Sequence, residues 1–271
     1  MALTETQIRE FKSFAERLAE AARSQTLPRF RAGTDVFNKA GIWYDPVTDA
    51  DREAERAMRR LINAAFPDHG ILGEEFGEEA PAAPMRWVLD PVDGTSAFIC
   101  GVPSWTTLIA LENDNKPVLG LIDQGFTKER WIGDNDVTLF SDGAQSTPCQ
   151  TSDVKDLARA RISTTDPRPA VYFTSQEAAG FNQIAEQARL VRFGFDAYAY
   201  ALLAMGELDL IVEAGLKHHD YAALAPVVRG AGGIISDWKS GDFDANDRGR
   251  VVAAATPELH EAAIDLLMKI G

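Results

Sequence analysis

The sequence predicts an α/β protein, with an α+β amino-terminal half over residues 1–150 and an α/β carboxyl-terminal half over residues 151–271. Three patterns carry this expectation. Amphipathic helical spacing opens the chain. A run of short apolar segments between residues 106 and 140, separated by Asn, Gly and Asp turns, argues an antiparallel meander. Beyond about residue 150, strand-like runs alternate with helical ones.

Residues 4–24 set Ile8, Phe11, Phe14, Leu18 and Ala21 at near-helical spacing with Glu and Arg between them. That is an amphipathic helix that packs on the core or faces a second copy. After Pro28, residues 35–39 form a candidate strand. Thr48 or Asp49 caps a second helix that runs through Met58, Leu61 and Ile62 and stops before Pro67. Ile71, Leu72 and Gly73 form a short strand leading into Glu74 and Glu75. Trp87 to Leu89 is a buried strand, which Pro91 is expected to end by removing a ladder donor.

The meander runs fall at 107–111, 118–122, 130–132 and 137–140. In the second half, strands are expected at 160–163, 190–193, 208–212, 233–235 and 251–254. Helices are expected from Ser175, over 197–205, over 222–230 with Asp220 as its N-cap, and from Pro257.

Composition excludes several classes. There are 41 Asp and Glu against 27 Lys and Arg, a formal net charge of −14. That balance opposes broad binding to nucleic acid or to an anionic membrane. Apolar runs fall far short of the roughly 18 residues a membrane span needs. The first residues lack a basic region followed by an apolar core, so no secretory signal is read. Cys100 and Cys149 are the only cysteines and suggest neither a disulfide framework nor a zinc site. A cytoplasmic protein is the expectation.

The most informative stretch is Trp87-Val88-Leu89-Asp90-Pro91-Val92-Asp93-Gly94-Thr95. An apolar strand runs into two carboxylates three residues apart and then into Gly-Thr. If a helix opens at Thr95, the N–H groups of Gly94, Thr95 and Ser96 lack partners and attract an anion. Carboxylates beside an anion cradle repel phosphate unless divalent cations lie between, an arrangement that suits hard ions such as Mg²⁺. Bland alternatives stand beside this. Asp90 to Thr95 could be a simple turn, Asp51 a helix-dipole partner, Glu75 a solvated loop charge and Asp220 an ordinary cap.

Taken together, Pro46-Val47-Thr48-Asp49-Ala50-Asp51, Gly73-Glu74-Glu75, the Trp87 to Thr95 stretch with Phe98 and Pro103, Asp220-Tyr221-Ala222-Ala223 and Gly230-Ala231-Gly232-Gly233 resemble the ordered motifs of the inositol monophosphatase superfamily. The resemblance covers residues from about 39 to 233. It implies a layered α-β-α-β-α sandwich of the sugar-phosphatase type and Mg²⁺-dependent hydrolysis of a small phosphate monoester, with two or three ions. Glu74, Asp90 and the Val92 carbonyl resemble the ligands of a first Mg²⁺, and Asp90, Asp93 and Asp220 those of a second. Asp51 and Thr95 resemble the pair that orients the attacking water, with Glu74 assisting, and Gly94 and Thr95 hold the phosphate. Relatives of this kind are commonly homodimers.

Three segments lean toward the histidinol-phosphate phosphatases of the superfamily: residues 96–111, Phe193 to Tyr200, and Glu213 to Lys217. Histidinol phosphate carries an amine and an imidazole, which carboxylates at Asp196 and Glu213 could pair with. The ordinary readings of those two residues are a helix N-cap Asp and a strand-end Glu. Inositol 1-phosphate and a nucleotide 3′-phosphate are alternative substrates. A non-catalytic interaction scaffold of the same fold is the alternative of another class.

His219 stands where the family usually has Trp, preceded by His218. The run His218-His219-Asp220 invites a transition-metal reading, but adjacent residues do not normally share one ion and the surroundings are oxygen-only. Both histidines are read as packing or pocket-rim residues. Residues 241–249 fail as a calcium loop because Gly at the sixth position and Glu at the twelfth are missing. Gly230 to Gly233 follows a helix and reads as a C-cap, and no P-loop or Gly-x-Ser-x-Gly elbow is present.

Overall fold

A computed structural model describes residues 3–33, 36–38, 46–80, 82–243 and 248–269. The first layer pairs two helices, α1 (Glu5–Thr26) and α2 (Asp49–Ala65). Each starts at a threonine in a reciprocal cap: Thr4 with Gln7, and Thr48 with Asp51. Their apolar faces, through Phe11, Phe14, Leu18, Ala54, Met58 and Ile62, pack on Ile71, Trp87 and Leu89 of the sheet beneath. Between these helices lies a small antiparallel pair, β1 (Val36–Asn38) and β2 (Pro46–Thr48). The expected strand at 35–39 is thus met over residues 36–38, while Asp35 and Lys39 lie outside the described residues.

The second layer is an eight-stranded sheet. Its strands are β3 (Gly70–Gly73), β4 (Gly77–Glu79), β5 (Met85–Asp93), β6 (Thr106–Asn113), β7 (Lys116–Gln124), β8 (Glu129–Gly133), β9 (Thr138–Ser141) and β10 (Ser146–Pro148), in the order β10-β9-β8-β7-β6-β5-β3-β4. The meander from β5 to β10 is antiparallel, as the turn spacing predicts, and β3 lies parallel to β5.

The short helix α3 (Thr95–Cys100) follows β5. The second sheet has β11 (Arg161–Thr164), β12 (Leu190–Phe193), β13 (Leu210–Glu213), β14 (Ile234–Ser236) and β15 (Val251–Ala254) in the order β12-β11-β13-β15-β14. β11 is parallel to β12 and β13, while β15 is antiparallel to β13 and β14. Helices α4 (Ser175–Ala185) and α8 (Pro257–Met268) cover its outer face through Phe181, Ile184, Leu259 and Ala263. Between the sheets lie α5 (Tyr198–Ala204), the single turn α6 (His218–Tyr221) and α7 (Leu224–Gly230), whose Tyr200, Leu203, Leu224 and Val228 pack with Leu108, Ile122 and Trp131. The layers run α-β-α-β-α, as the resemblance implies.

Two local expectations are corrected. β5 does not stop at Pro91. Pairing with β6 jumps from Asp90↔Leu108 to Asp93↔Thr106, so three steps along β5 match two along β6. The missing Pro N–H is absorbed by a bulge, and the Pro91 carbonyl takes the Thr107 hydroxyl at 2.8 Å. Asp220 does not cap a helix over 222–230. It lies inside α6, a separate turn, and accepts the Lys217 N–H at 2.7 Å.

Among the described residues no helix is long and apolar enough to cross a membrane. Cys100 and Cys149 are both free. The failed calcium loop at 241–249 includes residues 244–247, which lie outside the described residues.

Candidate active site

The bulge in β5 decides the geometry. In an unbroken strand, residues three apart point to opposite faces; one inserted residue brings Asp90 and Asp93 to the same side. Carboxylate oxygens of Asp90, Asp93 and Asp220 accordingly lie within 4.8 Å of one another. A second group within the same limit joins Glu74, just past β3, Asp90, and a ring nitrogen of His219. Asp90 Oδ1 accepts the Val92 N–H at 3.1 Å, and the Val92 carbonyl accepts the Thr95 hydroxyl at 3.1 Å.

Gly94, at φ 77, turns the chain from β5 into α3; a Cβ there would lie 2.8 Å from Asp196 Oδ2. The first-turn N–H groups after Gly94 have no acceptor within the helix. Asp93 Oδ2 accepts the Ala197 N–H at 2.7 Å, which fixes the start of α5 against the end of β5.

Asp51, fully buried in the first turn of α2, uses Oδ2 to accept the Thr48 N–H and hydroxyl. Its Oδ1 is buried without a hydrogen-bond partner. Glu213 ends β13; Oε1 accepts the N–H and hydroxyl of Thr165, and Oε2 the hydroxyl of Thr164.

Crowding of buried and half-buried carboxylates shifts their pKa values upward. Burial first, then the charges of Glu74, Asp93, Asp220 and Asp51, hold Asp90 well above the usual carboxylate range. Asp93 is raised in the same way by burial and by Asp196 and Asp220, against the pull of the Ala197 N–H. Burial also raises Asp220, although His219 and the Lys217 N–H oppose it. Burial pushes Asp51 up to about 6 against the two Thr48 hydrogen bonds. Asp196 goes to about 6 through burial and the Asp220 charge. Glu213 goes to about 8, again from burial, with Thr165 and Thr164 opposing.

So many buried and half-buried acids in mutual repulsion, together with an orphaned Asp51 oxygen, fit a site whose charge is balanced by divalent cations. Glu74, Asp90, Asp93 and Asp220 could hold them.

These residues line a cavity of about 290 Å³ together with Val92, Gly94, Thr95, Asp196, Glu213 and Lys217. That is near the lower end for small-molecule sites, so the fitting ligand is small. Every sequence-predicted site residue except Asp51 lines it, and Asp51 adjoins it through the charge of Glu74.

Sequence reasoning missed Glu55. Fully buried in α2, it accepts the N–H groups of Glu75 and Phe76 at 2.7 and 3.2 Å and the Arg59 Nε at 2.8 Å, and so holds the turn that carries Glu74. Gly73 exists for this contact, since a Cβ would sit 1.9 Å from Glu55 Oε1. Glu75 is not a solvated charge either: its side chain is 2% exposed, with Arg52 Nε at 3.9 Å. His218 is a packing residue as expected. Its Nε2 donates to the buried Glu112 at 2.6 Å and its Nδ1 meets the Tyr221 hydroxyl at 3.1 Å, which pins α6 to β6.

A five-layered sandwich with a small acidic cavity at its strand ends defines a layered α/β protein with a carboxylate-rich site suited to cations. The chain belongs to the inositol monophosphatase family, whose family model matches residues 7–271. It is 38% identical to the bifunctional phosphatase IMPL2, chloroplastic, of Arabidopsis thaliana, over 98% of this chain and 77% of that protein. It is 34% identical to a histidinol-phosphatase of Chlorobaculum parvum, over 87% of this chain and 89% of the relative. Among solved structures, an inositol monophosphatase from Zymomonas mobilis superposes with a TM-score of 0.84 at 40% identity, covering 99% of this chain and 100% of that one. The chain is a phosphatase, a hydrolase.

Proposed function

We propose that the chain hydrolyses histidinol phosphate to histidinol and phosphate, with Mg²⁺ as cofactor. The observation that carries the substrate is charge. After Glu74, Asp90, Asp93 and Asp220 are assigned to cations, Asp196 and Glu213 remain in the cavity, and Lys217 is the single Lys or Arg among the described residues that line it. A substrate with a cationic amine and an imidazole draws those two raised acids into their ionised forms and pairs with them, which a polyol does not do. The likeness to histidinol-phosphatases over most of the chain supports this reading.

Glu74, Asp90 and the Val92 carbonyl would hold one Mg²⁺, and Asp90, Asp93 and Asp220 another. Bound cations offset phosphate charge and lower the pKa of a water. Asp51, through its open Oδ1, takes a proton from the attacking water. Thr95, whose hydroxyl proton is directed to the Val92 carbonyl, presents its lone pairs to that water and sets its line toward phosphorus. Glu74 assists, and the N–H groups of Gly94 and Thr95 receive phosphate oxygens.

Inositol 1-phosphate is the second reading, supported by the Zymomonas mobilis likeness. Purified protein assayed with Mg²⁺ against histidinol phosphate, inositol 1-phosphate and a nucleotide 3′-phosphate separates them. Preferred turnover of the first is expected; comparably poor turnover of all three would refute the histidinol reading. We further propose a homodimer acting in the cytoplasm on a small-molecule substrate, with sedimentation velocity as the check on assembly.

A further inference from the structure

Four histidines occur in the chain, and three have engaged rings. His69 stacks on Phe66 although its Nδ1 is also buried without a hydrogen-bond partner, His260 bonds the Ser236 hydroxyl, and His218 is held by Glu112 and Tyr221. His219 differs. Its side chain is 12% exposed, and its Nε2 is buried with no hydrogen-bond partner. Asp220 Oδ1 is only 3.3 Å away but makes no hydrogen bond with it. A ring nitrogen of His219 shares the 4.8 Å group with Glu74 and Asp90. With His218 turned toward β6, the two adjacent histidines do not compete for one ion.

We propose that His219 is a ligand at the Glu74–Asp90 cation position, making it a mixed nitrogen–oxygen site that favours a first-row transition-metal ion over Mg²⁺. The inference rests on the metal reading above and divides the two positions by chemistry. The Asp90–Asp93–Asp220 group offers oxygen alone and suits Mg²⁺. At the other position an imidazole replaces an oxygen donor, and affinity for nitrogen rises from Mg²⁺ toward the transition metals. A buried ring nitrogen without a partner costs free energy that a bound ion recovers.

Pulsed electron paramagnetic resonance on Mn²⁺-loaded full-length protein tests this without reference to activity. A ¹⁴N coupling of directly bound imidazole is expected in the wild type. It should persist in His218→Gln and vanish in His219→Gln. Calorimetric titrations with Mn²⁺ and Mg²⁺ should show the Mn²⁺ preference falling by at least about tenfold in His219→Gln, the lower end of what losing a metal-supporting group costs. If Mn²⁺ binds the wild type without a ¹⁴N coupling, the proposal is wrong and the metal reading stands. If neither ion binds the wild type, both fall. The wild-type spectrum decides even where the His219 variant fails to fold.

Discussion

Asp51 accepts both the backbone N–H and the hydroxyl of Thr48, at 2.9 and 2.6 Å, through the single oxygen Oδ2. Oδ1 is left buried and without a partner. One side chain thus caps α2 and offers a base to the site. Asn at this position keeps an acceptor for Thr48 and removes the base. Asp51→Asn should lower kcat by about 10²–10⁴-fold, with unfolding free energy changed by less than about 1 kcal/mol. Phosphate release and a thermal melt on the same sample check both. Unchanged turnover would remove Asp51 from the chemistry.

Gly73→Ala places a methyl 1.9 Å from the Glu55 carboxylate. Glu55 cannot retreat without releasing the Glu75 and Phe76 N–H groups. A stability loss of about 1–3 kcal/mol is expected from this overpacking, with weaker binding of divalent cations because the Glu74 turn moves. Denaturant unfolding and calorimetric metal titration measure the two effects. An alanine variant with native stability would show that Glu55 is not a fixed support.

Much of this arrangement is legible in the sequence, and the limits have physical causes. The caps at Thr4 and Thr48, the meander turns and the alternation beyond residue 150 are local signals, and they place the elements to within a few residues. The pairing of Asp90 with Asp93 is readable as a motif, but the bulge that turns both to one side depends on the register of β6 and is not. Glu55 sits in α2 among Arg52, Arg56 and Arg59 and resembles a solvated charge; only the approach of Gly73 and the following turn buries it. Asp220 reads as a cap because the break between α6 and α7 carries no Pro or Gly to announce it. His219 reads as rim because its neighbours Glu74 and Asp90 are far away in the chain.

Burial raises Glu213 from its ordinary value to about 8. A carboxyl raised on folding binds its proton more tightly in the folded state. Its contribution is therefore complete below about pH 4.5 and lost as pH rises through about 8. The metal-free protein should lose roughly 1.4 kcal/mol per pH unit from this group across that window. Glu213→Gln should flatten that part of the profile. Unfolding curves between pH 5 and 8 provide the measurement, and a slope that survives the substitution would assign it to other groups.

Asp196 lines the cavity at the start of α5, against Gly94. If it pairs with the cationic part of histidinol phosphate, Asp196→Asn should raise KM for that substrate by roughly tenfold, the worth of one hydrogen bond to a charged group. KM for inositol 1-phosphate should barely change. Equal losses on both substrates would mean that Asp196 supports the fold of the site instead of reading the substrate.

The central claim is that cations held by the buried carboxylates carry phosphate ester hydrolysis. Phosphate release from histidinol phosphate by chelator-treated protein, before and after Mg²⁺ is added back, tests it most directly. Activity should be absent after chelation, return with Mg²⁺, and fail to return in Asp90→Asn of native melting behaviour. Undiminished hydrolysis by the metal-free protein would contradict the account.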